Sequence, residues 1–208
     1  MPRTGMICAA MMVLATAGCA TVDTASRNAV RVDLSATHAA PSMRLVDYEV
    51  RVPETLRVSE ANLYYPQGDI VWRGEPMGDR YAQVKAIFDT SLGRAGRVVA
   101  GDLPVVARIE VKRFHAISEK ARYTVGGVHS ITFDLTFVDA GTGLPVVPTY
   151  EVRADLQGYG GKQAMLAEAR GVTQKYRITR HLTDVLAQEL AGSDTALLAL
   201  AGPDAALR

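Results

Sequence analysis

Cysteine, surplus charge and long apolar runs are all scarce in this chain of 208 residues. Its 2 cysteines are Cys8 and Cys19. Cys8 lies inside an N-terminal apolar stretch that is lost if the leader is cleaved, so the processed chain keeps one thiol and has no disulfide framework. The 23 basic residues face 22 acidic ones, and removal of residues 1–18 takes away Arg3 and no acid, leaving a formally neutral remainder. That balance argues against a nucleic-acid partner, which needs a basic footprint, and against a polybasic membrane patch. The apolar run Met6–Leu14 is too short to cross a bilayer as a helix, which takes about 20 residues. HExxH, CxxC, GxSxG, GxGxxG and Walker patterns are all missing, so no familiar metal, nucleophile or phosphate-loop chemistry is announced.

What stands at the N-terminus is a positive residue, Arg3, then the short apolar run, then the small-residue exit Ala15-Thr16-Ala17-Gly18-Cys19. This is the layout of an export leader rather than of a permanent anchor. Ala17-Gly18-Cys19 resembles the lipobox of bacterial lipoproteins, although Thr16 holds the position that is usually aliphatic and Leu14 comes two residues too early. The resemblance implies loss of a signal peptide, residues 1–18. It also implies attachment of a diacylglyceryl group and an N-acyl chain such as palmitate to Cys19. Two or more acyl chains hold a protein on a membrane where a single chain does so only marginally. Ala15-Thr16-Ala17 is also an A-x-A cleavage site, and cutting after Ala17 would instead release a soluble periplasmic protein. Ala20 rather than an aspartate follows the cysteine, which by analogy with enteric lipoproteins directs the chain to the outer membrane, facing the periplasm.

Residues 19–43 carry small polar residues and scattered charge without a sustained period, as a flexible tether would; a short strand at Val30–Leu34 is the alternative. A single domain over 44–191 follows, then an Ala- and Gly-rich tail, 192–208, expected to be disordered. Arg44–Val52 alternates, with Val46, Tyr48, Val50 and Val52 on one face. Short extended pieces are expected at Leu56–Val58 and Ile70–Arg73, separated by the turn-forming Tyr64–Asp69. Met77–Arg94 switches to helical spacing, with Asp79 near its start and Gly93 and Gly96 as its stop. Pro104–Ile117 and Val128–Val138 return to period two, and the turn Asp139–Gly143 leads to a return strand over Val146–Leu156, placed at an edge by Pro145 and Pro148. A short helix over 163–173, interrupted at Gly171, and a longer one from Gln174 to Ala191 close the domain. The fold class is α+β: an antiparallel meander sheet covered on one face by two amphipathic helices, its other face lined with charge.

Candidate chemistry is sparse. The 4 histidines, His38, His115, His129 and His181, show no metal-ligand spacing, so no metal is expected. Asp69, Glu75 and Asp79 gather near Trp72, where paired carboxylates could serve acid–base work on a glycan, but turn formation explains them equally. Trp72 has two roles open to it: a core anchor under the first helix, or part of an exposed aromatic ledge with Tyr64 and Tyr65 that contacts a partner or a glycan. Gly126-Gly127 and Gly158-Tyr159-Gly160-Gly161 have the look of bulges or turns needing positive φ.

Five blocks stand out together: Val58–Asn62, Gly68–Arg73 with Gly78-Asp79-Arg80, Arg113–Ala116, Glu119–Ser130 and Gly158–Gly161. In these blocks the chain resembles an uncharacterised family of alphaproteobacterial lipoproteins that carry a domain of unknown function. Gly74 departs from the pattern, which has an acid after the Trp-Arg pair. The resemblance implies an address and no catalytic residues or cofactor. The expectation is therefore a non-enzymatic, lipid-anchored accessory or binding component of an envelope protein complex. A cell-wall or glycan hydrolase and a small-ligand periplasmic binding module are the alternatives.

Overall fold

The structure is a computed structural model and describes residues 42–192. Cys19, the leader, nearly all of the tether and the tail from residue 193 lie outside the described residues. Within them the chain runs β1 (Met43–Arg51), β2 (Ile70–Val71), α1 (Arg80–Val98), β3 (Leu103–His115), α2 (Glu119–Arg122), β4 (Gly127–Asp139), β5 (Tyr150–Arg153), β6 (Leu156–Gly158), α3 (Gly161–Glu168) and α4 (Gln174–Leu190).

The α+β architecture expected from the sequence is present, with a mixed, mostly antiparallel sheet. β3 and β4 form its centre, paired antiparallel from Val105 opposite Asp139 to His115 opposite Ser130. β1 and β2 share the outer edge of β3, and β5 and β6 share the outer edge of β4. The departure from a pure meander is on the first edge, where β1 and β2 both run parallel to β3. The 19-residue helix α1 between β1 and β3 is the cause, because a crossover helix returns the chain to the end where it started. On the other edge the prolines act as expected. Pro145 makes only an isolated bridge to Val138, and ladder pairing resumes at Tyr150 opposite Leu135. The return strand is thereby split into β5 and β6.

Two bulges change which residues face the core. In β1 the register slips between Leu45 and Asp47, so Val46 bulges outward and the inward set is Met43, Leu45, Tyr48 and Val50. In β3 a slip between Val111 and Arg113 turns the alternation over after Lys112. Val105, Ala107, Ile109 and Val111 point inward as the alternation requires; beyond the bulge Phe114 and Ala116 take the inward positions. An extra residue in one strand flips every side chain after it.

α1 and α4 pack on the inner face and on each other. Between helices and sheet lie Trp72, Phe88, Phe114 and Phe133, with ring pairs edge-on at 5.3 to 6.3 Å. Asp79 caps α1 by accepting from the Ala82 N–H, so the helix begins at Arg80 and Met77 stays exposed before it. Gly93 and Gly96 do not stop the helix, which continues to Val98. A Cβ on Gly96 would lie 2.8 Å from Leu45 Cδ2, so this glycine lets helix and edge strand approach closely. The outer face carries the expected charge, tied in pairs such as Lys112–Asp134 at 3.0 Å and Arg153–Glu151 at 2.9 Å.

Candidate functional site

β3 ends, and α1 and α4 both begin, at one pole of the domain. Lys175 in the first turn of α4 reaches Glu75 before α1 at 2.6 Å, and Gln174 Nε2 donates to the Ile117 carbonyl just past β3. β1 starts at the opposite pole, with Met43 beside Leu103. The 13 residues of β3 separate the two poles by about 40 Å at roughly 3.3 Å per residue. The five blocks noted in the sequence gather at the first pole.

They are joined there by ion pairs. Arg80, its side chain 3% exposed, donates to both carboxylate oxygens of Glu60 at 2.6 and 3.0 Å. Arg73 donates to the Glu60 carbonyl and to Glu119, both at 2.9 Å, and Arg122 reaches Glu168 at 3.1 Å. The Arg80 hydrogen bond, followed by the charges of Arg80 and Arg73, holds the Glu60 carboxyl below the usual carboxylate range. The two glycine clusters meet here as well. A Cβ on Gly160 would lie 2.3 Å from Gly126 N, and Gly126 itself has φ +78°.

The expected ledge is present in part. Tyr65 is 85% exposed and Tyr64 42% exposed, whereas Trp72 is fully buried. Trp72 packs edge-on to Phe114 and donates its indole N–H to Glu75 at 3.0 Å, so it is core and leaves the list of contact residues. Gly74 fits the same packing, because a Cβ there would stand 2.2 Å from Trp72 Cη2. Tyr64 and Tyr65 border a cleft of about 150 Å³ with Pro66, His115, Val125 and Val128. Val125 and Val128 are exposed, and the Lys120 ammonium sits 4.7 Å over the Tyr64 ring. The sequence reading missed Val125, Val128 and Lys120. The available signal was an apolar Val125 beside two glycines, at a place where no strand period accounts for it.

The acids near Trp72 do not converge. Asp69 accepts from the Arg57 N–H, Asp79 caps α1, and Glu75 holds Trp72 and Lys175. Among the described residues no three His, Cys, Asp or Glu side chains gather as a metal site. His115 and His129 are separated by the two-faced pleat. His115 donates Nε2–H to the Pro66 carbonyl at 2.9 Å, and His129 turns into the domain.

Behind the pole, His129 Nδ1 accepts the Ile117 N–H at 3.3 Å, which places the proton of the neutral ring on Nε2. Burial, with the positive charges of Arg177, Arg122 and His181 in support, lowers its pKa from 6.5 to about 3. His129 shares a space of about 20 Å³ with Arg122, Glu168, Gln174 and Arg177, enough for a single water.

Residues 43–199 match DUF6778, a family of unknown function. The chain belongs to that family. No curated protein matches it. Among solved structures it is similar to protein XCC0632 from Xanthomonas campestris, of the DUF330 family, at 11% identity over 74% of this chain and 86% of that one, with a TM-score of 0.39. It is also similar to a candidate lipoprotein from Caulobacter crescentus CB15, at 17% identity, 60% and 89% coverage and a TM-score of 0.28. A third is the PelC dodecamer from Paraburkholderia phytofirmans, at 16% identity, 74% and 94% coverage and a TM-score of 0.32. Scores at this level carry no functional assignment, so the DUF6778 domain is read from its own residues.

Proposed function

We propose that this protein is a lipoprotein of the bacterial cell envelope, anchored in the outer membrane by acyl chains on Cys19. In this reading its periplasm-facing domain is a non-enzymatic accessory that docks a protein partner at the Tyr64–Tyr65 cleft. The carrying observation is the cleft itself: Tyr65, Val125 and Val128 are exposed around it, at the pole opposite Met43, the first residue of β1. Aromatic side chains standing around a hollow are what interface hot spots are made of. Lys120, without an ion pair among the described residues, sits over the ring of Tyr64, which lines the hollow. The occupant that fits is a loop of an envelope protein with an apolar side chain beside a carboxylate. The separate structural tasks of Asp69, Glu75 and Asp79 support a non-catalytic role.

Crosslinking from intact envelopes tests both parts. Cys19→Ala is expected to leave the membrane fraction with its melting temperature unchanged. Tyr65→Ala is expected to stay in the membrane, keep its stability within about 0.5 kcal/mol and lose its crosslinked partner. Membrane attachment of the first variant would overturn the anchor, and an undiminished crosslink in the second would overturn the cleft.

A further inference from the structure

A second concave surface lies apart from the Tyr64 cleft and does not depend on the reading above. It is a groove of about 280 Å³ between β6, the turn after it and the first half of α4. Arg177, Arg180, His181 and Asp184 line it from α4, at helical spacings that put them on one face, while Leu156, Tyr159 and Val172 form the opposite wall.

Its two arginines are held ready in different ways. The Arg177 guanidinium lies 3.4 Å over the Tyr159 ring, and its Nη2 donates to the Gln157 carbonyl at 2.7 Å. Stacking and one hydrogen bond fix the plane of the fork and leave most of its donors unspent. Arg180 is exposed and makes no ion pair among the described residues. His181 Nε2 is buried without a hydrogen-bond partner among them. One carboxylate, Asp184, faces two guanidinium groups, so the groove is positive in a chain that is otherwise balanced.

We infer that this groove binds a phosphate ester. The choice of anion follows from donor count. A carboxylate has two oxygens and is satisfied by one guanidinium fork, whereas a phosphate monoester offers three non-bridging oxygens, and a diester two beside its ester oxygens, which lets one ligand take both arginines together. The volume falls just below the roughly 300 to 1,000 Å³ of sites for drug-sized ligands, which suits a headgroup-sized molecule. Leu156 and Val172 supply an apolar wall for the esterified part. Soluble phosphate esters and phospholipid headgroups share this chemistry.

The test uses the full chain carrying Cys19→Ala, so that no anchor contributes to binding. Glycerol 3-phosphate is titrated with phosphorus NMR as the readout, and co-sedimentation is measured with phosphatidylglycerol and with phosphatidylcholine vesicles. Arg180→Glu, at an exposed position, is expected to weaken binding at least tenfold with an unchanged melting temperature. Arg97→Glu, the same charge change in the last turn of α1, is expected to alter it less than twofold. Binding of free glycerol 3-phosphate supports the site with a soluble ligand. Preference for phosphatidylglycerol over phosphatidylcholine vesicles, lost in Arg180→Glu, supports it with a lipid ligand. Failure of both probes overturns the inference, as does equal weakening by Arg97→Glu, which would reduce the effect to net charge.

Discussion

At the scale of single residues, His129 is the side chain with the clearest thermodynamic signature. Its folded pKa of about 3 lies below the ordinary 6.5, so the unfolded chain binds the extra proton between those values. Stability is therefore fully present above about pH 6.5 and is lost as pH falls toward 3. Full titration of the unfolded state by pH 5 removes about 2 kcal/mol relative to pH 8. Urea unfolding of the wild type across that range is expected to show this loss, and His129→Gln is expected to flatten it. Parallel curves for the two proteins would show that another group carries the acid limb. Nothing in the sequence separates His129 from His115. Their opposite surroundings arise because the bulge at Lys112 turns His115 outward while His129 stays on the inner side of β4.

At the scale of elements, the amphipathic helices and central strands are legible because burying one face imposes a period on the sequence. Ile131, Phe133, Leu135 and Phe137 read as one face of a strand and are one face of β4. What periodicity could not reveal is where an element tolerates an irregularity. Gly96 looks like a helix stop, yet it lies inside α1 because Leu45 needs its space. The glycine clusters give a test of close packing. Gly160→Ala puts a methyl against the backbone of Gly126 at ordinary φ, so its cost is steric, about 1 to 3 kcal/mol. Gly143→Ala, at φ +71° with nothing within 4 Å, has only backbone strain to bear, about 1 kcal/mol. Thermal unfolding is expected to rank Gly160→Ala as the more damaging; the reverse order would mean that the two glycine segments are not in contact.

At the scale of the whole molecule, Glu60 ties the long connection before β2 to α1 through Arg80, and Arg73 continues the tie to α2 through Glu119. Glu60→Gln leaves the buried Arg80 guanidinium facing a neutral amide. Because the Glu60 side chain is 36% exposed, solvent softens the loss, and about 1 to 2 kcal/mol is expected from chemical denaturation. A change under about 0.5 kcal/mol would show that the carbonyls of Glu75 and Pro76 suffice for Arg80.

Local pattern alone determined the α+β class, the two long helices, the central strands and the proline-weakened edge, since each follows from neighbours within one or two turns. The exposure of Tyr64 and Tyr65 was legible for the same reason, since both stand in a turn-forming segment. Only the tertiary structure decided that β1 runs parallel to β3, that Trp72 is core, that Val125 and Val128 complete the cleft, and that Lys120 sits over the Tyr64 ring. It alone brought Arg177, Arg180 and His181 against Leu156 and Val172. Those outcomes depend on contacts between residues dozens of positions apart, set by a crossover helix and by bulges that reverse a strand's alternation, and no periodicity within either segment encodes them.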